Sequence, residues 1–76
     1  QVQQQAWVEG LLDRLDGRER EIVTRRFGLI YGQEPLKLME VGTVLGITKE
    51  RVRQIQSRAM SKLRKAAEED HIEHLA

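Results

Sequence analysis

The sequence predicts an all-α fold: a small bundle of about four helices, with a helix-turn-helix and one long final helix. Three observations point there. Apolar residues recur at three- and four-residue spacing in four separate stretches. Charged residues make up 33% of the chain while Pro occurs once, a balance that suits helices better than sheet. Capping and stop signals fall between the stretches, at Asp16 to Glu19, Gly28 and Gly46-Ile47-Thr48. With 76 residues, the chain has room for a single domain and a modest core, which 39% hydrophobic content can fill. It begins with Gln rather than Met, which points to a piece of something longer.

The elements follow in order. Residues 1–5 are polar and read as linker. Trp7, Val8, Leu11, Leu12 and Leu15 give a first helix over Ala6–Leu15, with Trp7 as a core anchor. Asp16 is placed to cap a second helix, and Glu19 three residues on completes a capping-box pattern. That helix spans Gly17–Phe27. Ile22, Val23, Arg26 and Phe27 bracket its inner side, and Arg18, Glu19, Arg20, Glu21 and Arg25 are solvated. Gly28 suits the left-handed position after the last helical residue. The loop 29–36 follows, with Leu29 and Ile30 tucked under the bundle. A third helix spans Lys37–Leu45 and turns Leu38, Val41 and Leu45 to the core, with Val44 near the edge. Gly42 is small where two helices approach closely, Gly46 supplies a positive φ, and Ile47 plugs the angle.

The long helix starts at the capping residue Thr48. Val52, Ile55, Ala59 and Leu63 form its buried stripe. At about 100° per residue, Glu50, Gln54, Ser57 and Ser61 point the other way. Lys49, Arg51, Arg53, Arg58, Lys62, Arg64 and Lys65 fill the flanks. A buried stripe, a polar outer edge and basic flanks are what a helix needs to lie in a DNA major groove.

Charge distribution agrees. The formal net charge is only +1, but residues 48–65 hold seven Lys/Arg against one Glu, a net +6. Residues 66–76 hold four acidic residues and no Lys/Arg, an acidic tail in which His71 to Leu75 adds a last helical turn. Basic charge is thus gathered on one segment, the footprint of a phosphate-contacting surface. The chain has no Cys, which excludes disulfides and thiolate metal sites. His71 and His74 are three apart, but without nearby Cys they read as a solvated tail rather than a metal site. No cofactor or metal is expected. No nucleophile–base set or phosphate-cradling Gly loop is present, so the chain reads as a non-enzyme. No apolar run is long enough to span a bilayer and the sequence shows no basic-then-apolar signal-peptide pattern, which suits a cytoplasmic protein without a membrane partner.

The residues GREREIVTRRFGL and MEVGTVLGITKERVRQIQSRAMSKLR resemble region four of bacterial sigma factors, of the primary type rather than the small extracytoplasmic kind. The likeness covers about residues 11–65, with the helix-turn-helix at about 37–65 inside a single domain 1–76. EVG, LGIT and RVRQI, in this order between Val41 and Leu63, are its specific part. The resemblance implies a promoter-recognition module for transcription initiation. Its implied partners are double-stranded promoter DNA at the minus-35 element, the β-subunit flap of RNA polymerase, and an activator or anti-sigma protein. It implies base reading by Lys49, Glu50, Arg53 and Gln54. It implies phosphate or activator contact by Lys37, Arg51, Ser57, Arg58, Lys62 and Arg64.

Four positions depart from the pattern. Lys49 stands where the family usually has Arg, and an ammonium reaches guanine without a planar fork. Lys37 and Met39 replace a capping Thr and an acidic residue. Ser61 replaces an Arg of primary members, which implies a weaker activator response. Two other readings compete. A LuxR-type response-regulator output domain shares the GREREIV-like helix but differs in its recognition helix and lacks a loop such as FGLIYGQEP. An interaction-only module would turn the same basic helix toward a protein.

Overall fold

The computed structural model describes residues 10–29 and 32–75, with side chains as far as residue 69. Helical residues at 10–12 are followed by three complete helices, α1 (Gly17–Phe27), α2 (Leu38–Leu45) and α3 (Lys49–Leu75), and no strand occurs among the described residues. The all-α bundle is as the sequence predicts. The expected first helix over 6–15 stops earlier, because Arg14 and Leu15 donate back to the carbonyls of Leu11 and Leu12, a tighter turn that ends the helical run at Leu12. Its early part, including Trp7, lies outside the described residues, as do Ile30 and the side chains of His71, Ile72, His74 and Leu75.

α1 forms because both of its ends are chemically closed. Asp16 has extended backbone (φ −73°, ψ 173°) and its carboxylate accepts from the Glu19 amide at 2.8 Å. The Glu19 carboxylate accepts from the Asp16 amide at 3.0 Å, completing the reciprocal box. At the other end Gly28 takes φ +64°, and Leu29 N–H closes on the Thr24 carbonyl. A Cβ on Gly28 would stand 2.9 Å from the Pro35 ring, so the loop returns tightly against the helix end. The Leu36 amide then donates to the Arg25 carbonyl, and the Arg26 guanidinium to the Leu36 carbonyl at 3.1 Å, fixing where α2 begins.

α2 starts at Leu38, one residue later than expected, with Lys37 as the extended residue before the helix. An ammonium has no lone pair to offer the free amides. Half of a capping box therefore survives, the Lys37 amide donating to Glu40 at 2.8 Å. Gly46 ends the helix at φ +72°, and Ile47 N–H donates to the Gly42 carbonyl. At Gly42 a Cβ would lie 2.6 Å from the Ile47 carbonyl oxygen. Only hydrogen at that position lets the turn fold back onto α2, and this sets the angle at which α3 departs. Thr48 Oγ1 accepts from the Arg51 amide at 3.1 Å and opens α3. The 27 residues of α3 run about 40 Å at 1.5 Å each, continuous through the acidic tail.

The core lies along α3 in two clusters. Ile22, Val41, Val52 and Ile55 form one, lined by the half-buried Leu36, Leu38, Leu45 and Ile47. Leu12, Leu15, Val23 and Ala59 form the other, with Leu63 packed against it. Adjacent residues of α1, Ile22 and Val23, thus enter different clusters, and α3 is common to both. Each buried Val or Ile contributes about 1.5–3 kcal/mol, so the stripe on α3 holds the domain together.

Three side chains depart from the sequence reading. Phe27, expected on the inner side, is 42% exposed: the helix ends there, the chain turns off at Gly28, and the Arg26 guanidinium lies 5.7 Å from its ring centroid. Leu29, expected under the bundle, is 45% exposed, because the left-handed Gly28 directs the chain outward before Leu36 brings it back. Glu19, expected in solvent, is 1% exposed. Its carboxylate is needed at its own helix cap, and Lys62 of α3 reaches it with the ammonium at 2.8 Å from Oε1, across 43 residues of sequence. A buried carboxylate requires such a partner.

Two outcomes follow from this packing. Gly42→Ala should destabilise by about 1–3 kcal/mol, the range for a forced steric insertion, and lower the melting temperature by several degrees. Gly17→Ala, where a Cβ meets nothing within 4 Å, should stay within about 0.5 kcal/mol of the parent. Equal melting of the two variants would show that the Gly42 contact does not shape the turn. Lys62→Met keeps the apolar stem and removes the charge. Lys62 is 44% exposed, which reduces the value of the pair, so the expected loss is about 1–2 kcal/mol in denaturant unfolding. An unchanged midpoint would show that Glu19 does not depend on Lys62.

Candidate nucleic-acid interface

Because Val52, Ile55 and Ala59 are buried, the remaining faces of α3 are directed away from the bundle by helical geometry. Lys49, Glu50, Arg51, Arg53, Gln54, Ser57, Arg58, Ser61, Lys62, Arg64 and Lys65 are all exposed. No described segment covers the outward face of the first two turns. The expected base-reading residues Lys49, Glu50, Arg53 and Gln54 therefore share one open ridge at the start of α3, beside the turn that joins it to α2.

Within that ridge two residues are already joined. Arg53 donates through Nε to Glu50 Oε2 at 3.1 Å and through Nη2 to Oε1, a two-pronged pair one helical turn apart. The hydrogen bond from Arg53 holds the Glu50 carboxyl below its ordinary range; desolvation opposes it, and the charges of Arg53 and then Lys49 add to the lowering. The hydrogen bond to Glu50, and then the charge of Glu50, push the Arg53 guanidinium up. Both groups stay ionised around neutral pH, and the carboxylate is an acceptor only. Arg51 reaches Gln54 Oε1 at 3.5 Å, at the outer limit of a hydrogen bond, so Gln54 keeps its amide free to pair elsewhere.

The expected phosphate-contacting residues divide into groups. Arg51, Ser57, Arg58 and Arg64 lie exposed along α3. Lys37 lies at the start of α2 and shares a shallow open cleft with Arg26, Leu38, Met39, Glu40 and Lys49. The cleft brings three cations to the uncapped amino end of α2, where backbone N–H groups and the helix dipole favour an anion. Its one carboxylate, Glu40, is already accepting from the Lys37 amide. Arg26 escaped the sequence reading because its spacing on α1 marks the inner face. The structure makes it half-buried, with the guanidinium on the Leu36 carbonyl at the cleft wall. Lys62 stands apart from the group, since its ammonium is already bound to buried Glu19.

Among the described residues no group of three or more His, Cys, Asp or Glu could hold a metal ion. No helix there is long and apolar enough to cross a membrane.

Comparison with known proteins gives the family of the chain. The family model described as Sigma-70, region 4 matches residues 11–65, from the end of the first helical stretch through the basic part of α3. The chain is 46% identical over 59 residues to "RNA polymerase sigma factor RpoD" in two strains of Helicobacter pylori, covering 78% of this chain and 9% of the relative. It is 47% identical over 57 residues to "RNA polymerase sigma-C factor" of a Nostoc species, covering 75% of this chain and 14% of that protein. The chain thus spans only a small share of the length of these relatives, from 9% to 14%.

Proposed function

This chain belongs to the sigma-70 region 4 family, and from that footing we propose that it recognises promoter DNA at the minus-35 element for RNA polymerase. One observation carries the reading: the basic ridge at the start of α3 is open while its apolar stripe is buried against α1 and α2. A major groove admits a helix presented in this way.

Lys49, Glu50, Arg53 and Gln54 face the base edges. Lys49 donates to guanine O6 or N7, Glu50 accepts from an exocyclic amino group, and Gln54 pairs with an adenine edge. Arg51, Ser57, Arg58 and Arg64 meet phosphates, or an activator, along the flank. Lys37 meets a phosphate at the mouth of the α2 cleft, with Arg26 and the α2 amides beside it. Lys62 supports the helix through Glu19 instead of contacting DNA directly. Docking on the β-subunit flap, and contact with an activator or anti-sigma protein, belong to the same proposal. The exposed Phe27 and Leu29 at the end of α1 offer apolar surface for a protein contact. The family match across the recognition segment, 41–63, favours this reading over a LuxR-type output domain. The setting is cytoplasmic, where polymerase and promoter meet.

Salt decides between DNA and a purely protein-facing module. Anisotropy of a labelled minus-35 duplex should give log K falling with log salt at about −0.9 per phosphate neutralised, hence a slope near −3 or steeper for three or more contacts. A slope near zero would overturn the DNA reading. Gln54→Ala should change base preference in a selection on randomised duplexes while leaving the helical circular-dichroism spectrum intact. The loss at its own position should be about 1–3 kcal/mol. Identical preferences would remove Gln54 from the reading set.

A further inference from the structure

Glu50 and Arg53 are both candidates for direct contact with DNA, yet in the structure each is the other's partner. Arg53 engages both carboxylate oxygens of Glu50, through Nε at 3.1 Å and through Nη2. Both side chains are well exposed, at 60% and 59%, and no other described residue bonds to either. The pairing is set by the backbone, since residues three apart on a helix are neighbours.

This geometry has three chemical consequences. Each carboxylate oxygen carries two lone-pair sites, and the guanidinium fork uses one on each, so an outward-facing site remains on each oxygen. The fork also fixes the plane of the carboxylate, which otherwise turns freely at the end of a flexible side chain. Less rotamer freedom is then lost when a base arrives. Finally, the charge of Arg53 is already balanced by Glu50, so bringing Arg53 to DNA displaces fewer counterions than a solitary cation would.

We propose that Arg53 is a positioning residue: it orients the Glu50 carboxylate as a fixed acceptor for the exocyclic amino group of cytosine or adenine, and it does not act as an independent phosphate contact. The inference rests on the DNA reading above. Oriented in this way, the carboxylate selects a base that presents N4–H or N6–H. It discriminates against guanine O6 and thymine O4, which place an acceptor opposite an acceptor. Lys49, on the neighbouring flank, supports the charge of the carboxylate without entering the fork.

The test measures two quantities for each variant of this chain: base discrimination at the position read by Glu50, and the salt slope. That position is identified as the one where Glu50→Ala flattens preference in a panel of duplexes carrying each base pair in turn. Arg53→Gln should lower discrimination there about 5- to 10-fold while changing the salt slope by less than about half a unit. Arg53→Lys, with no planar fork, should fall between the two. In the Glu50→Ala background, Arg53→Gln should cause no further loss of discrimination, the non-additivity of residues acting as one unit. The proposal is overturned if Arg53→Gln weakens all duplexes equally with a slope reduced by about one. It is also overturned if the two substitutions prove additive. A wild-type chain with a flat salt response and no base preference would instead overturn the DNA reading itself, a result distinct from either.

Discussion

One helix stripe carries the whole arrangement. Val52 and Ile55 bring α3 into one apolar cluster, Ala59 and Leu63 into the other, and α1 and α2 depend on α3 to bury their own apolar residues. The same burial orients the polar ridge. Helical periodicity leaves no freedom between the two: once Val52 and Ile55 face inward, Glu50 and Gln54 must face out. Stability and presentation of the candidate DNA-reading surface are therefore one constraint seen from two sides.

The angle of that helix is set elsewhere, by atoms with little to do with hydrophobicity. Gly42 allows the Ile47 carbonyl within 2.6 Å of where a Cβ would stand, Gly46 takes the left-handed conformation, and Thr48 closes the first turn of α3. At the far side of the bundle, the Glu19–Lys62 pair ties the middle of α3 to the cap of α1. Such a pair adds little net stability compared with apolar packing, because the carboxylate must be desolvated. It does specify a single register, since only one placement of α3 brings Lys62 to Glu19. The polar contacts thus select the geometry that the apolar contacts stabilise.

On the outer surface, charge is arranged with some restraint. The Glu50–Arg53 pair places a balanced unit in the middle of the basic ridge. Cations without an ion-pair partner among the described residues lie to either side, with Lys37 and Lys49 at the cleft and Arg58 further along. Such a surface attracts a duplex through its edges and leaves an acceptor at the centre where bases are distinguished.

Local rules made much of this legible before any coordinates. The limits of α1, the capping box of Asp16 and Glu19, the positive φ at Gly28 and Gly46, the close approach at Gly42 and the stripe of α3 all depend on neighbours within a few residues. The Glu50–Arg53 pairing left a signal too, opposite charges three apart on one helix, though spacing alone says nothing of a two-pronged contact. Other features depended on distant parts of the chain. Glu19 is solvated by its spacing and buried by its packing, because Lys62 arrives from 43 residues away. Phe27 is apolar and in phase with the core, yet the helix ends before any described element covers it. Arg26 joins Lys37 and Lys49 only because the loop returns Leu36 to the end of α1. Sequence by itself determined which residues form helices and which face of each is apolar, since those follow from periodicity and capping. Tertiary structure alone decided which charges are spent inside the fold and which remain for a partner, since that depends on contacts between segments that no local pattern records.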